Sequence, residues 1–174
     1  MQKIYPMLWF DDQAEQAAEF YVGVFSHRPG AKGGESKVLE ISHYGEAGPR
    51  PVGMVMVVRF LIEGQEFTAL NGGTEFSFNE AVSFVIDCED QEEVDYFWNA
   101  LTDGGQEVAC GWLKDRFGLC WQVVPSALFR MQNDPDREKA QRAMKAMLQM
   151  TKLDIRELER AFNGEAVGSA ARKA

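Results

Sequence analysis

Apolar residues along the chain switch between a period near two and a period near 3.6, and the switches mark its elements. Ile4–Phe10 is a short aromatic-rich run that reads as a buried strand. Asp11-Asp12 stops it, and Asp12 with Glu15 has the spacing of a capping box. Ala14, Ala17, Ala18, Tyr21 and Phe25 then form one helical stripe, which predicts a helix to about Ser26. A loop containing Pro29, Gly30, Gly33 and Gly34 follows. Lys37–Tyr44 alternates like a strand, and Val52–Glu63 reads as a long central one. Gly64 breaks it, Gln65–Asn71 returns as a hairpin partner, and Gly72-Gly73 ends the first half.

The same order then recurs. Phe76–Glu80 is a connector, and Ala81–Asp87 is again a short apolar strand. Asp90 and Glu93 repeat the acidic cap spacing; Val94, Phe97, Trp98 and Leu101 give a strongly amphipathic helix, stopped at Gly104-Gly105. Two strands, Gln106–Lys114 and Phe117–Val124, are joined by a tight turn at Asp115–Gly118. Asp12 and Asp90 lie too far apart for a solenoid unit of roughly 20–50 residues, so two copies of a βαββ-type module are expected.

After Pro125 the pattern becomes helical. Asp134-Pro135 predicts an N-cap with Pro at the first helical position, and Ala140, Ala143, Met144 and Met147 carry a stripe to about Thr151. Asp154 with Glu157 caps a final short helix lined by Ile155, Leu158 and Phe162. Small polar residues from Gly164 onward predict a disordered C-terminus over 165–174. The resulting domain plan is one unit over 1–164: a first module 1–73, a second 74–127 and a helical tail 128–164.

Composition narrows the function classes. The 174 residues carry a formal charge of −9 with the acids spread along the chain, and no cluster of Lys and Arg suits a phosphate backbone. Nucleic acid is therefore not expected as a partner. The longest apolar run, Val52–Ile62, is interrupted by Arg59 and falls short of the roughly 18 residues a membrane span needs. MQKIYPML has no apolar h-region, so no signal peptide is visible. Cys88, Cys110 and Cys120 are odd in number and unsuited to a disulfide or zinc framework. Reduced thiols in a cytoplasmic protein follow.

Leu8–Asp12 leading to Phe20-Tyr21, with Asn71-Gly72-Gly73, Ser83–Asp87, Cys110–Asp115 and Lys152–Ile155, resembles one branch of the vicinal oxygen chelate superfamily. That superfamily includes glyoxalase I, extradiol dioxygenases, and bleomycin and fosfomycin resistance proteins. The branch is the 3-demethylubiquinone-9 3-methyltransferase-like, PhnB-related one. The resemblance spans about Ile4 to Asn163. It implies an α+β fold of paired βαβββ modules forming a cupped mixed sheet, with the C-terminal helices added, and a homodimer. It also implies a cavity that binds a small molecule or, in metal-using relatives, a divalent ion held by the first and last strands of each module. On this chain those ligand positions fall near Pro6, near Ala81 and on Gln122. The fourth lies around Gly64–Asn71, where Glu66 is the only carboxylate. One carboxylate and one amide make a poor metal site, so no metal is expected. Nor is another cofactor. S-adenosylmethionine enzymes of the common type need a Gly-rich turn between a strand and a helix, and the paired glycines here occupy no such place.

The expected ligand site follows from the alternation of side chains. If Gln122 faces the cavity, so do Cys120 and Val124, while Trp121 packs under a helix. Ala81, Ser83 and Val85 form the inward set of the fifth strand, and Asn71 and Ala69 that of the strand ending the first module. Gln122, Ser83 and Asn71 could then hydrogen-bond one small polar ligand, or satisfy one another or a water. Trp112, beside Gly111, could wall the pocket or pack in the core. The expected binding residues are thus Asn71, Ser83, Trp112, Cys120 and Gln122. No catalytic group is identifiable: His27 and His43 have no partner at ligand spacing. The function expected is metal-free small-molecule binding, and the alternative is a divalent-metal lyase or dioxygenase-type enzyme.

Overall fold

A computed structural model describes residues 3–30 and 33–165. The expected disorder over 165–174 falls almost wholly on residues 166–174, which lie outside the described residues. The chain divides into two compact units, Met1–Glu80 and Ala81–Ala174. The first runs β1 (Met7–Phe10), α1 (Ala14–Ser26), β2 (Lys37–His43), β3 (Val55–Ile62) and β4 (Gln65–Asn71). The second repeats that order as β5 (Phe84–Cys88), α2 (Gln91–Thr102), β6 (Gln106–Glu107), β7 (Trp112–Lys114) and β8 (Cys120–Pro125). It then adds α3 (Ser126–Gln132), α4 (Arg137–Met147) and α5 (Ile155–Asn163). Each unit holds a four-stranded mixed sheet, ordered β1-β4-β3-β2 in the first and β5-β8-β7-β6 in the second. In both, the first and last strands pair in parallel and the remaining pairs are antiparallel. The paired βαβββ modules with C-terminal helices are therefore present.

In the first unit α1 buries Ala14, Ala17, Ala18 and Tyr21 completely. The Tyr21 ring stacks at 6.4 Å on Phe60, which in turn stacks at 5.5 Å on Phe67. Burial of rings of this size contributes about 2 kcal/mol each, which fixes the register of β3 against β4. Glu63 and Gly64 form the two-residue loop of that hairpin, both with positive φ (49° and 78°). That geometry matches the twist of the strands it joins.

Three local expectations are corrected. Strand β1 begins at Met7, because Ile4 (89% exposed) and Tyr5 have no sheet to pack on. The first acidic cap does not form: Gln13 is the N-cap residue and gives no side-chain bond, while Asn71 Oδ1 accepts from the Ala14 N–H at 2.8 Å. A buried side chain from β4 thus takes the place of the local carboxylate. In the tail the N-cap is Asp136 rather than Asp134; its carboxylate accepts from the N–H groups of Glu138 and Lys139, and Asp134 instead accepts from the Asp136 N–H. The caps at Asp90 and Asp154 form as their spacing predicts.

Candidate functional site

The hairpin of β7 and β8 is held by one carboxylate. Asp115, 3% exposed, accepts from the Phe117 and Leu119 N–H groups at 2.8 and 3.1 Å and from the Trp121 indole N–H at 2.8 Å. This turns Leu119, just before β8, and Trp121 and Val123 of β8 into one buried row, with α2 packed on the strand and Trp121 against the Phe84 ring. Gln122 is left half-buried on the opposite face. Across the sheet it lies in register with Val85 on β5 and Trp112 on β7. Those three side chains, with Val124, floor a cleft of about 220 Å³. Leu128, Phe129 and Gln132 of α3 wall it, and Cys110 and Met147 complete the lining.

The expected strand Gln106–Lys114 is interrupted where this wall attaches. Cys110 and Gly111 both adopt positive φ, 60° and 83°. Their N–H groups turn to the tail, donating to the carbonyls of Met150 and Thr151 at 2.8 Å each. Only a glycine fits at 111, since a Cβ there would lie 2.8 Å from the Val123 carbonyl oxygen. The tail helices bury Leu128, Met131, Ala143, Leu153 and Leu158 with Val124 in a shared core. Helix α3 is too short for its stripe of Ala127, Leu128 and Met131 to announce it in the sequence, and so its contribution to the cleft is visible only in the structure.

Of the residues expected to bind a ligand, Trp112 and Gln122 line the cleft. Ser83 stands behind Gln122, its hydroxyl accepting from Gln122 Nε2 at 2.9 Å. Cys120 is 1% exposed. Asn71 belongs to the first unit and is 2% exposed there; besides the bond from Ala14, its Nδ2 donates to the Val55 carbonyl at 3.0 Å. Val85, Val124, Cys110, Leu128, Phe129, Gln132 and Met147 complete the lining beyond that expected binding set. Alternation along β5 and β8 carries the first two; no local signal carries the helical ones.

The metal-ligand positions implied by the family pattern carry poor donors here. Pro6 and Ala81 offer no donor atom. Glu66 Oε1 takes two bonds from the Arg59 guanidinium, at 2.6 and 3.0 Å, and that partner raises the arginine's pKa. Among the described residues, no group of three or more His, Cys, Asp or Glu side chains could hold an ion. These positions therefore offer a divalent metal few donors. His27 hydrogen-bonds the Gly23 carbonyl at the end of α1, and His43 ends β2.

Paired βαβββ modules with these strand orders define the glyoxalase/bleomycin resistance fold of the vicinal oxygen chelate superfamily. Within it, the chain belongs to the family described as 3-demethylubiquinone-9 3-methyltransferase, whose model matches residues 2–124. A Bacillus cereus protein, named PhnB and provisionally 3-demethylubiquinone-9 3-methyltransferase, is 31% identical with a TM-score of 0.62. That match covers 72% of this chain and 100% of the other. The Pseudomonas aeruginosa protein PA1353 is 20% identical with a TM-score of 0.56, covering 72% and 98% of the two chains. No protein of curated function matches the chain. No helix among the described residues is long and apolar enough to cross a membrane.

Proposed function

We propose that this protein binds a small organic molecule in the cleft of its second unit and does so without a divalent metal. The observation that carries this reading is the cleft's lining: an aromatic and aliphatic wall with two amides, Gln122 and Gln132, and no charged side chain. Concave sites of this composition hold ligands by apolar contact and orient them through a few polar groups. Methyl transfer, in the family's description, finds little support in the residues. Gly72-Gly73 follows β4 and Gly104-Gly105 follows α2, so neither pair opens a helix after a parallel strand. The reading extends to a single functional domain over 1–164, with modules 1–73 and 74–127 and the tail 128–164, acting as a cytoplasmic homodimer. Strand β2 supports the dimer, since it is a sheet edge carrying the exposed side chains of Leu39 and Ile41. Three free cysteines suit a reducing compartment.

Titration with a library of small aromatic and aliphatic metabolites, followed by tryptophan fluorescence, tests the binding. Ligands should quench a signal that Trp112→Phe removes. A flat response across the library would overturn the reading. Light scattering should give a dimer at micromolar concentration, and a monomer would refute that element alone.

A further inference from the structure

The hydrogen-bond directions within the cleft say which chemistry it is built to receive. Gln122 directs one of its two Nε2 hydrogens at Ser83 Oγ, 2.9 Å away. Gln132 directs its Nε2 at the Met147 sulfur, 3.7 Å away, a weak acceptor. Among the described residues, neither Oε1 takes a hydrogen bond from the protein. Both amides therefore leave a carbonyl oxygen unused, one on the sheet and one on α3. An amide oxygen calls for an N–H or O–H from its partner. A carboxylate or phosphate would meet those oxygens unfavourably, with no cation in the lining and a chain charge of −9.

Size and shape point the same way. At about 220 Å³ the cleft lies below the roughly 300–1,000 Å³ of sites for drug-sized ligands, so its occupant has one or two rings. Trp112 from β7 and Phe129 from α3 supply aromatic surface, and Phe129 is 43% exposed although it is one of the larger apolar side chains of the tail. Phe129, Gln132 and Met147 all lie beyond residue 124, where the family match ends. One of the two acceptors and one of the two rings thus lie outside the part of the chain that the family model matches.

We propose that the cleft takes an uncharged, one- or two-ring aromatic bearing N–H or O–H donors, with Gln122 and the tail residue Gln132 as its paired acceptors. This rests on the reading of the cleft as a ligand site, and the test separates the two. Three probes are compared on the full chain by side-chain and backbone amide NMR: 4-aminophenol, its fully methylated counterpart 4-methoxy-N,N-dimethylaniline, and 4-aminobenzoate. The expected result is perturbation of the Gln122, Gln132 and Trp112 side-chain N–H signals by 4-aminophenol, with binding about tenfold weaker for the methylated probe and weaker still for the carboxylate. Gln132→Leu, on the half-buried face of α3, should weaken 4-aminophenol about tenfold and leave the methylated probe unchanged or tighter. Equal binding of all three probes, or tightest binding of 4-aminobenzoate, would overturn the ligand class while leaving the site intact. Absence of any perturbation at the cleft signals with all three would overturn both the class and the site. The wild-type probe comparison stands whether or not the variant folds.

Discussion

Asn71 Oδ1, at the end of the last strand of the first unit, accepts the Ala14 N–H that opens α1, at 2.8 Å. One side chain thereby joins the two ends of the module, since its Nδ2 also donates to the Val55 carbonyl on the neighbouring strand. The Asn71 main-chain oxygen is occupied as well, by the Tyr44 hydroxyl at 2.7 Å. At 2% exposure, water cannot replace either side-chain bond. Asn71→Ala should lower stability by about 3 kcal/mol, combining loss of a cap with an orphaned carbonyl. Urea unfolding measures it, and a loss below about 0.5 kcal/mol would show that the helix start is satisfied without Asn71.

The cost of a side chain at Gly111 should exceed that at Gly118, although the two share nearly the same φ, 83° and 85°. A Cβ at 118 meets nothing within 4 Å, so Gly118→Ala carries only the left-handed strain of about 1 kcal/mol. At 111 the same Cβ would press on the Val123 carbonyl at 2.8 Å and on the Leu153 side chain at 3.0 Å. Gly111→Ala should therefore cost at least about 2 kcal/mol and loosen the tail from the sheet. Thermal melts of the two variants decide the order, and equal losses would mean that the chain near 111 gives way freely.

These two positions also show what could be read from the sequence and what could not. The strand–helix–strand order of both halves was legible because its signals are local: the stripe through Tyr21, the one through Trp98, and the turn at Asp115–Gly118. The caps at Asp90 and Asp154 were legible for the same reason. The start of α1 was not, since its partner Asn71 is 57 residues away along the chain. In the cleft, alternation along β8 brings Gln122 out and Trp121 in. The helical wall escaped because Phe129 and Gln132 acquire their role only when α3 folds back from Pro125, a tertiary event without a periodic signal.

The three thiols should separate by burial. Cys88 is fully buried and its thiol is pushed up to about 12, first by burial and then by Glu93, Asp87 and Asp90. Cys120 is 1% exposed, whereas Cys110 is half-buried and lines the cleft. A thiol reagent at pH 8 should modify Cys110 first, with Cys88 and Cys120 reacting only on unfolding. Because the folded value for Cys88 lies above its ordinary 9.0, its contribution to stability is complete below pH 9 and is lost as pH rises toward 12. Stability should thus fall more steeply between pH 9 and 11 in the wild type than in Cys88→Ala. Parallel pH profiles would refute this.

The tail should prove to be part of the folded core. Leu153 and Leu158 are both fully buried, in a cluster that includes Val124 of β8 and Leu128 and Met131 of α3. Leu153 also packs against Gly111, and its carbonyl accepts from the Gln91 side chain at the start of α2. Leu153→Ala should cost about 3 kcal/mol, as for other fully buried leucines. Deleting residues 134–174 should reduce the stability of the second unit rather than leave it intact. A deletion variant with unchanged unfolding would mean that the tail is a detachable module.

Metal content is the last outcome to test, and the donor atoms decide it. A tight divalent site draws three or four imidazole or carboxylate ligands. The positions that the family pattern would use fall near Pro6, near Ala81 and on Gln122, and around the fourth, within Gly64–Asn71, Glu66 is the only carboxylate. Glu66 already shares the Arg59 guanidinium with Glu40, and removing it from that cation would cost the pair its charge-assisted bonds. Gln122 is a neutral amide, with Ser83 bound to its nitrogen. Neither histidine can substitute, because His27 lies past α1 and His43 at the end of β2. Elemental analysis of protein purified without chelator should find less than about a tenth of an equivalent of zinc, nickel, manganese or iron. Chelator should leave the melting temperature unchanged, whereas a stoichiometric ion whose removal lowers it would replace the metal-free reading with a metal-dependent one.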